Sequence, residues 1–217
     1  MDREISVGGV YDLDSAKTLI NCDVERMCFD LRPKSFNFIQ GHVLLNILEF
    51  IPLGSMTISL LFENEASFIV EKILKDAKQV MAGRGKLEIN FASCNTSDYY
   101  EQFNFDYKLV LRELEVPKTV LTSKNFRGIV IPYSLYLEST KNEDSYIKLL
   151  KLIASVKNPD PSRKIELECG FNNGEFLDSS SNVLIDAHYL TIGPDLESHY
   201  RQIDPEKVKL QIEKIIS

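Results

Sequence analysis

An alternation constrains this chain more than anything else in it: short runs rich in Val, Ile, Leu and Phe recur from end to end, separated by helix-like stretches. Eight runs read as strands, namely Glu4–Gly8, Arg26–Leu31, Thr57–Phe62, Leu87–Ala92, Tyr107–Arg112, Gly128–Tyr133, Lys164–Cys169 and Val183–His188. Between them apolar residues return at three and four positions, as in Phe68, Ile69, Ile73, Leu74 and Ala77, or Tyr146, Leu149, Leu150, Ile153 and Ala154. Such spacing predicts amphipathic helices. The last helix is expected to start at Asp204-Pro205-Glu206, an acidic cap followed by Pro at the first helical position, with Val208, Ile212 and Ile215 as its stripe. No Gly/Ser linker or charge block interrupts the pattern, so one domain over 1–217 is expected. Eight strand-and-crossover units in 217 residues predict an α/β fold, a small (β/α)8 TIM-type barrel. A doubly wound open sheet is the alternative. Its dinucleotide form wants Gly-x-Gly-x-x-Gly after the first strand, which Gly8-Gly9-Val10-Tyr11-Asp12 does not supply, so no cofactor is expected.

Composition narrows the function. Hydrophobic residues make up 44%, enough for a core, and Lys+Arg 25 against Asp+Glu 32 gives a net charge of -7. An acidic chain does not suit a nucleic acid or an anionic membrane surface. Runs such as Phe50-Ile51-Pro52-Leu53 fall far short of the roughly 20 apolar residues of a membrane span. Met1-Asp2-Arg3-Glu4 lacks the layout of a secretory signal, so a cytoplasmic protein is expected, monomeric or homodimeric. Cys22, Cys28, Cys94 and Cys169 form no Cys-x-x-Cys pair and His42, His188 and His199 no His-x-x-x-His pair, so reduced thiols and no metal site are expected.

Several strands carry charge on one side and apolar residues on the other, which parallel strands covered on both faces should not do. Asp30 and Arg32 oppose Phe29 and Leu31; Glu88 and Asn90 oppose Leu87, Ile89 and Phe91; Glu166 and Glu168 oppose Ile165 and Leu167; Asp186 and His188 oppose Ile185 and Ala187. If the apolar sides meet the helices, the polar sides point into the barrel, where each charge must be paired, protonated or bound to ligand. One reading is a satisfied salt-bridge network in which Arg32, with Arg112 or Lys164, neutralises the acids. The functional reading makes His188, Asp186 and Glu168 acid/base candidates and Arg32, Lys34, Asn90, Arg112 and Gly170 ligand contacts, because strand C-terminal ends line a barrel's ligand mouth. Asp186 lies two positions before His188, on the same face of an extended strand, and would raise its pKa. A third reading has some strands antiparallel and facing water. Tyr99, Tyr100, Phe103 and Phe105 form either an exposed aromatic patch or a cluster tucked against the barrel.

Three stretches carry a family likeness. Ile5-Ser-Val-Gly-Gly-Val-Tyr-Asp-Leu-Asp-Ser-Ala16 with Met27-Cys-Phe-Asp-Leu-Arg-Pro-Lys-Ser35, then Leu167-Glu-Cys-Gly-Phe-Asn172, then Asp204-Pro-Glu-Lys-Val208, occur in the order found in phosphoribosylanthranilate isomerase, and the chain resembles that family. The resemblance implies the barrel and an Amadori-type rearrangement in which a first-strand Cys is general base and a sixth-strand Asp general acid. In this chain the Cys position falls on Gly8, and the sixth strand, Gly128-Ile-Val-Ile-Pro-Tyr-Ser134, has no carboxylate. The family's arginine for the anthranilate carboxylate falls on Asn37, its paired phosphate-binding glycines on Cys169-Gly170, and its strand-eight Ser-Gly near Ala187-His188. Three functions follow as expectations: a barrel that binds a small anionic metabolite or a partner without the family's isomerisation; an isomerase or lyase acting on a phosphorylated or carboxylated metabolite; and the family's own reaction with relocated groups.

Overall fold

A computed structural model describes residues 4–54, 56–93, 95–170, 185–193, 197–199 and 202–216. Its strands are β1 (Glu4–Gly8), β2 (Arg26–Asp30), β3 (Met56–Phe62), β4 (Gly85–Phe91), β5 (Tyr107–Val110), β6 (Phe126–Pro132), β7 (Lys164–Gly170) and β8 (Ala187–Thr191). Each pairs in parallel with the next, and β8 returns to β1 through Ile5 against His188 and Val7 against Leu190, closing the barrel. The helices are α1 (Leu13–Asn21), α2 (Gly41–Phe50), α3 (Ser67–Val80), α4 (Ser97–Glu101), α5 (Lys118–Leu121), α6 (Tyr133–Thr140), α7 (Glu143–Lys157) and α8 (Pro205–Ile216). A two-stranded ribbon, β9 (Glu197–His199) and β10 (Gln202–Ile203), lies between β8 and α8. The closed parallel barrel with helices between its strands is the expected TIM-type fold, and the open-sheet and antiparallel alternatives fall away.

Local signals acted as their chemistry dictates. Asp204 Oδ1 accepts the backbone N–H groups of Glu206 and Lys207 at 3.1 and 3.3 Å, capping α8 where the Asp-Pro-Glu signal put its start. Asp12 and Asn142 cap α1 and α7 the same way, through the N–H groups of Ser15 and Ser145. The stripe of α3 is rotated from the expected one. Val70, Leu74 and Ala77 are buried, whereas Phe68 is 70% and Ile69 40% exposed, because the face set by the i, i+4, i+7 spacing of Val70, Leu74 and Ala77 meets the core and leaves Phe68 and Ile69 to its side. On α7 the buried face is Leu149, Leu152, Ile153 and Val156. The aromatic residues are tucked in: Tyr100 and Phe103 are buried, and Phe91 of β4 stacks with Phe103 at 5.8 Å and lies 4.9 Å from Tyr100.

The eighth strand corrects the expectation. It begins at Ala187 and runs to Thr191, not from Val183 to His188; Val183 and Leu184 lie outside the described residues, as do Cys94 and the Phe171-Asn172 end of the second echo. Because side chains alternate along a strand, this placement reverses which residues face the lumen.

Closing the barrel also needs a residue without a side chain on β6. Gly128 has φ +142° and sits where an added Cβ would lie 1.9 Å from the Lys164 carbonyl oxygen on β7. Gly128→Ala must therefore strain φ and push β6 from β7, and is expected to lower stability by about 2–4 kcal/mol. Urea unfolding followed by circular dichroism measures this, and a midpoint equal to wild type would contradict it.

Candidate functional site

The lumen is stratified. At its N-terminal end sits an ion network: Lys108 of β5 donates to Glu166 Oε1 of β7 at 2.7 Å and lies 3.2 Å from Glu88 Oε2 of β4. Arg26 of β2 reaches the same two carboxylates at 3.4 and 3.7 Å, and Lys86 closes on Glu88 at 2.7 Å. Lys108, Glu88 and Glu166 are all buried. The ion-pair reading therefore holds for Glu88 and Glu166, with Lys108 and Arg26 as cations in place of Arg112 or Lys164, although Glu166 Oε2 is buried without a hydrogen-bond partner among the described residues. Burial alone would raise the Glu88 carboxyl; Lys108, Lys86 and Arg26 outweigh it and hold the group at about 2.

Above the network lies an apolar layer of Cys28, Leu61, Ala92, Val130 and Tyr189, edged by Val110. Asn90, also buried, donates to Cys28 Sγ at 3.7 Å. Burial pushes the Cys28 thiol up to about 12, despite a hydrogen bond from the Tyr189 hydroxyl, so it remains a thiol. The phenol of Tyr189 covers Gly8, and a Cβ built on Gly8 would stand 2.2 Å from its oxygen. The position at which the family likeness implies a general base is thus filled by a side chain from β8.

At the mouth, Asp30 accepts from Arg32 Nε at 2.8 Å, from Arg32 Nη2 at 2.6 Å and from Ser35 Oγ at 2.6 Å, a forked clasp that fixes both side chains. Glu63 is paired with Arg112. Glu65 accepts the Glu63 N–H at 2.6 Å. Glu168, at the end of β7, accepts from Thr191 Oγ1 at 2.9 Å and carries no ion pair within 4 Å among the described residues. Burial raises its carboxyl pKa, opposed by Thr191 and Arg32. Asn37 is buried, and its Nδ2 donates to the Ile192 carbonyl at 2.9 Å, bracing the loop after β2 against the end of β8. Lys34 and Gly170 are exposed at the same end of the barrel.

The expected acid/base trio is not assembled. His188 is buried on the outer face of β8, level with Ile5 and Leu167, both of which pack in the helix-covered core. Asp186 lies before the strand, at the other end of the barrel, where its Oδ2 accepts the Ile165 N–H at 2.7 Å and meets Lys157 Nζ at 2.6 Å. The reversed facing of β8 explains both. Of the three only Glu168 stands at the mouth; of the ligand contacts Arg32, Lys34, Arg112 and Gly170 lie there, and Asn90 lies deeper. Tyr189, Thr191 and Ser35 were missed. Lys108 was missed although its signal is plain, a lysine within Tyr107-Lys-Leu-Val110 between apolar neighbours. Among the described residues no group of three metal-ligating side chains occurs, and no helix is long and apolar enough to cross a membrane.

Two measurements test the floor. Lys108→Met leaves buried carboxylates short of their cation and is expected to cost about 3–5 kcal/mol, much of it recovered in Lys108→Met/Glu166→Leu. A depressed carboxylate stabilises the fold above its unfolded pKa, so stability should fall as pH drops from about 4.5 toward 2, with Glu88 contributing about 3 kcal/mol. Denaturant titrations at pH 6 and pH 3 check this, and Glu88→Gln should flatten the dependence.

No family model matches the chain, and no curated protein matches it in sequence. Solved structures do. Phosphoribosylanthranilate isomerase from Thermotoga maritima superposes with TM-score 0.68 at 15% identity, covering 99% of this chain and 98% of that one. The isomerase from Thermus thermophilus gives 0.66 at 13% over 98% of both chains, and that from Thermococcus kodakaraensis 0.60 at 12% over 98% and 96%. A dihydrodipicolinate synthase from Agrobacterium tumefaciens follows at 0.56 and 12%, covering 88% of this chain and 70% of that one. What they share with this chain, over nearly its whole length, is the phosphoribosylanthranilate isomerase-like (β/α)8 barrel, here carried by a widely divergent sequence.

Proposed function

We propose that this chain is a metabolite-binding barrel that does not perform the rearrangement implied by the family likeness. The observation that carries the proposal is the Tyr189 hydroxyl over Gly8: a cysteine restored there would have to displace the Tyr189 ring to place its first side-chain carbon. Strand β6 adds no carboxylate from Phe126 to Pro132, and Asn37 is committed to Ile192. Base, acid and carboxylate anchor are replaced together, and proton transfer of this kind is worth roughly 10²–10⁴-fold for each positioned group.

The ligand is proposed to be a small anionic metabolite at the sector of the mouth built by β2, β7 and β8. Arg32 is held in place there by Asp30 and Ser35, Lys34 is exposed, and Gly170 presents its backbone at the end of β7. The thiols Cys22, Cys28 and Cys169 are free, in keeping with a reducing cytoplasm.

A second reading is favoured by one observation, the half-buried Glu168 carboxyl whose pKa is raised and which accepts a hydrogen bond from Thr191. A carboxyl poised in this way is suited to acid/base work on a bound phosphorylated or carboxylated metabolite.

The test is direct. Purified protein supplied with phosphoribosylanthranilate generated in situ is expected to show no turnover above buffer. A panel of sugar phosphates and aromatic carboxylates, scanned by thermal shift, is expected to yield a stabilising ligand worth about 2.7 kcal/mol at a hundredfold excess over Kd. Lys34→Ala and Arg32→Gln should weaken it about tenfold or more. Isomerase turnover, removed by Glu168→Gln, would overturn the proposal and leave the enzymatic reading.

A further inference from the structure

The mouth is unevenly filled. Over the end of β1 the chain occupies its own space, with Tyr189 on Gly8 and Asn37 against Gly9. Over the ends of β4 and β5 an open cavity of about 180 Å³ remains. Ala92 and Val110, the small side chains of the lumen's apolar layer, bound it below, and Leu109 and Leu111 contribute to its wall. The residues at its edge are Arg112, Glu113 and Glu115.

Size and charge together define what fits. An apolar cavity of about 150 Å³ accepts a benzene molecule, so this one takes a single ring or its aliphatic equivalent. The one guanidinium at the edge, Arg112, is paired with Glu63, whose carbonyl is in turn held by the Ser93 hydroxyl. Glu113 and Glu115 are exposed and have no cation paired with them among the described residues. The edge therefore keeps a net negative charge over an apolar floor, the reverse of what an anion would select.

We infer that this cavity is a second ligand site, taking a small amine whose ring or branched alkyl body rests on Ala92 and Val110 while its ammonium faces Glu113 and Glu115. It does not depend on the anion site proposed above, since the two lie over different strands and use different residues. In this assignment the barrel's mouth is bipolar, with the cationic contacts Arg32 and Lys34 over β2 and anionic ones over β5.

Benzylamine and benzoate, equal in size and opposite in charge, are the probes. Ligand-observed NMR and thermal shift on the full chain are expected to show benzylamine bound and benzoate at least tenfold weaker. Val110→Phe should abolish benzylamine binding by filling the floor. The exposed pair Glu113→Gln/Glu115→Gln, which leaves the core untouched, should bring the two probes to within about threefold of each other. Lys34→Ala should leave benzylamine binding unchanged, which separates this site from the anion site. Absence of benzylamine binding to wild type, benzoate bound as tightly, or a preference unchanged in Glu113→Gln/Glu115→Gln would each overturn the assignment.

Discussion

The structure rests on the pairing of Lys108 with Glu166 and Glu88 inside a closed barrel. Closure leaves every second residue of eight strands facing an interior that water does not reach freely, and a carboxylate in that place is tolerable only beside a cation. Most barrels of this kind fill the interior with branched apolar side chains. Here the lower part is ionic, and Arg26 and Lys86 join Lys108 so that the two acids are shared among three bases. An arrangement with this many partners constrains strand order: β2, β4, β5 and β7 must all deliver their charged residue to one level. Replacing a buried ion network with apolar residues of the same volume is often energetically neutral, so these pairs are weak evidence of added stability even though removing one partner is costly.

Much of this was legible in the sequence. Seven of the eight strands lie within a few residues of their apolar runs, and Asp30, Glu88, Asn90, Glu166 and Glu168 face inward as their alternation indicated. The failure was at β8, for a physical reason. Val183-Leu-Ile-Asp-Ala-His188 and Ala187-His-Tyr-Leu-Thr191 are both acceptable strand sequences, and choosing the earlier reverses the facing of each side chain. Propensity cannot arbitrate between them. Only the pairing of Ile5 with His188 and Leu167 with His188 does, and that is a long-range fact. The attraction of Asp186 beside His188 as a catalytic pair came from this reversed facing.

The same strand decides the chemistry at Gly8. With His188 turned outward, Tyr189 turns inward, and its ring is long enough to reach across to β1 and β2, where its hydroxyl meets Cys28. A fold can therefore remain superposable on isomerases at TM-score 0.68 while one aromatic residue fills the place from which the likeness implies that catalysis is run. Backbone geometry is shared because barrel closure demands it; the residues at the mouth are under no such demand.

What the mouth retains is informative for the same reason. Asp30 and Glu63 each have a cation within ion-pair distance, whereas Glu168 accepts from Thr191, has no ion pair among the described residues and has a pKa raised by burial. A carboxyl whose role was structural would gain from a basic partner, and Arg32 is close enough to influence it yet is turned to Asp30. In the second reading proposed above, a Glu168 without a direct cation among the described residues keeps the ability to accept or donate a proton toward the opening. In that reading the partner of Glu168 is Arg32, already oriented by Asp30 and Ser35, one group fixed in charge beside one able to change it, at the end of the barrel where folds of this kind receive their ligands.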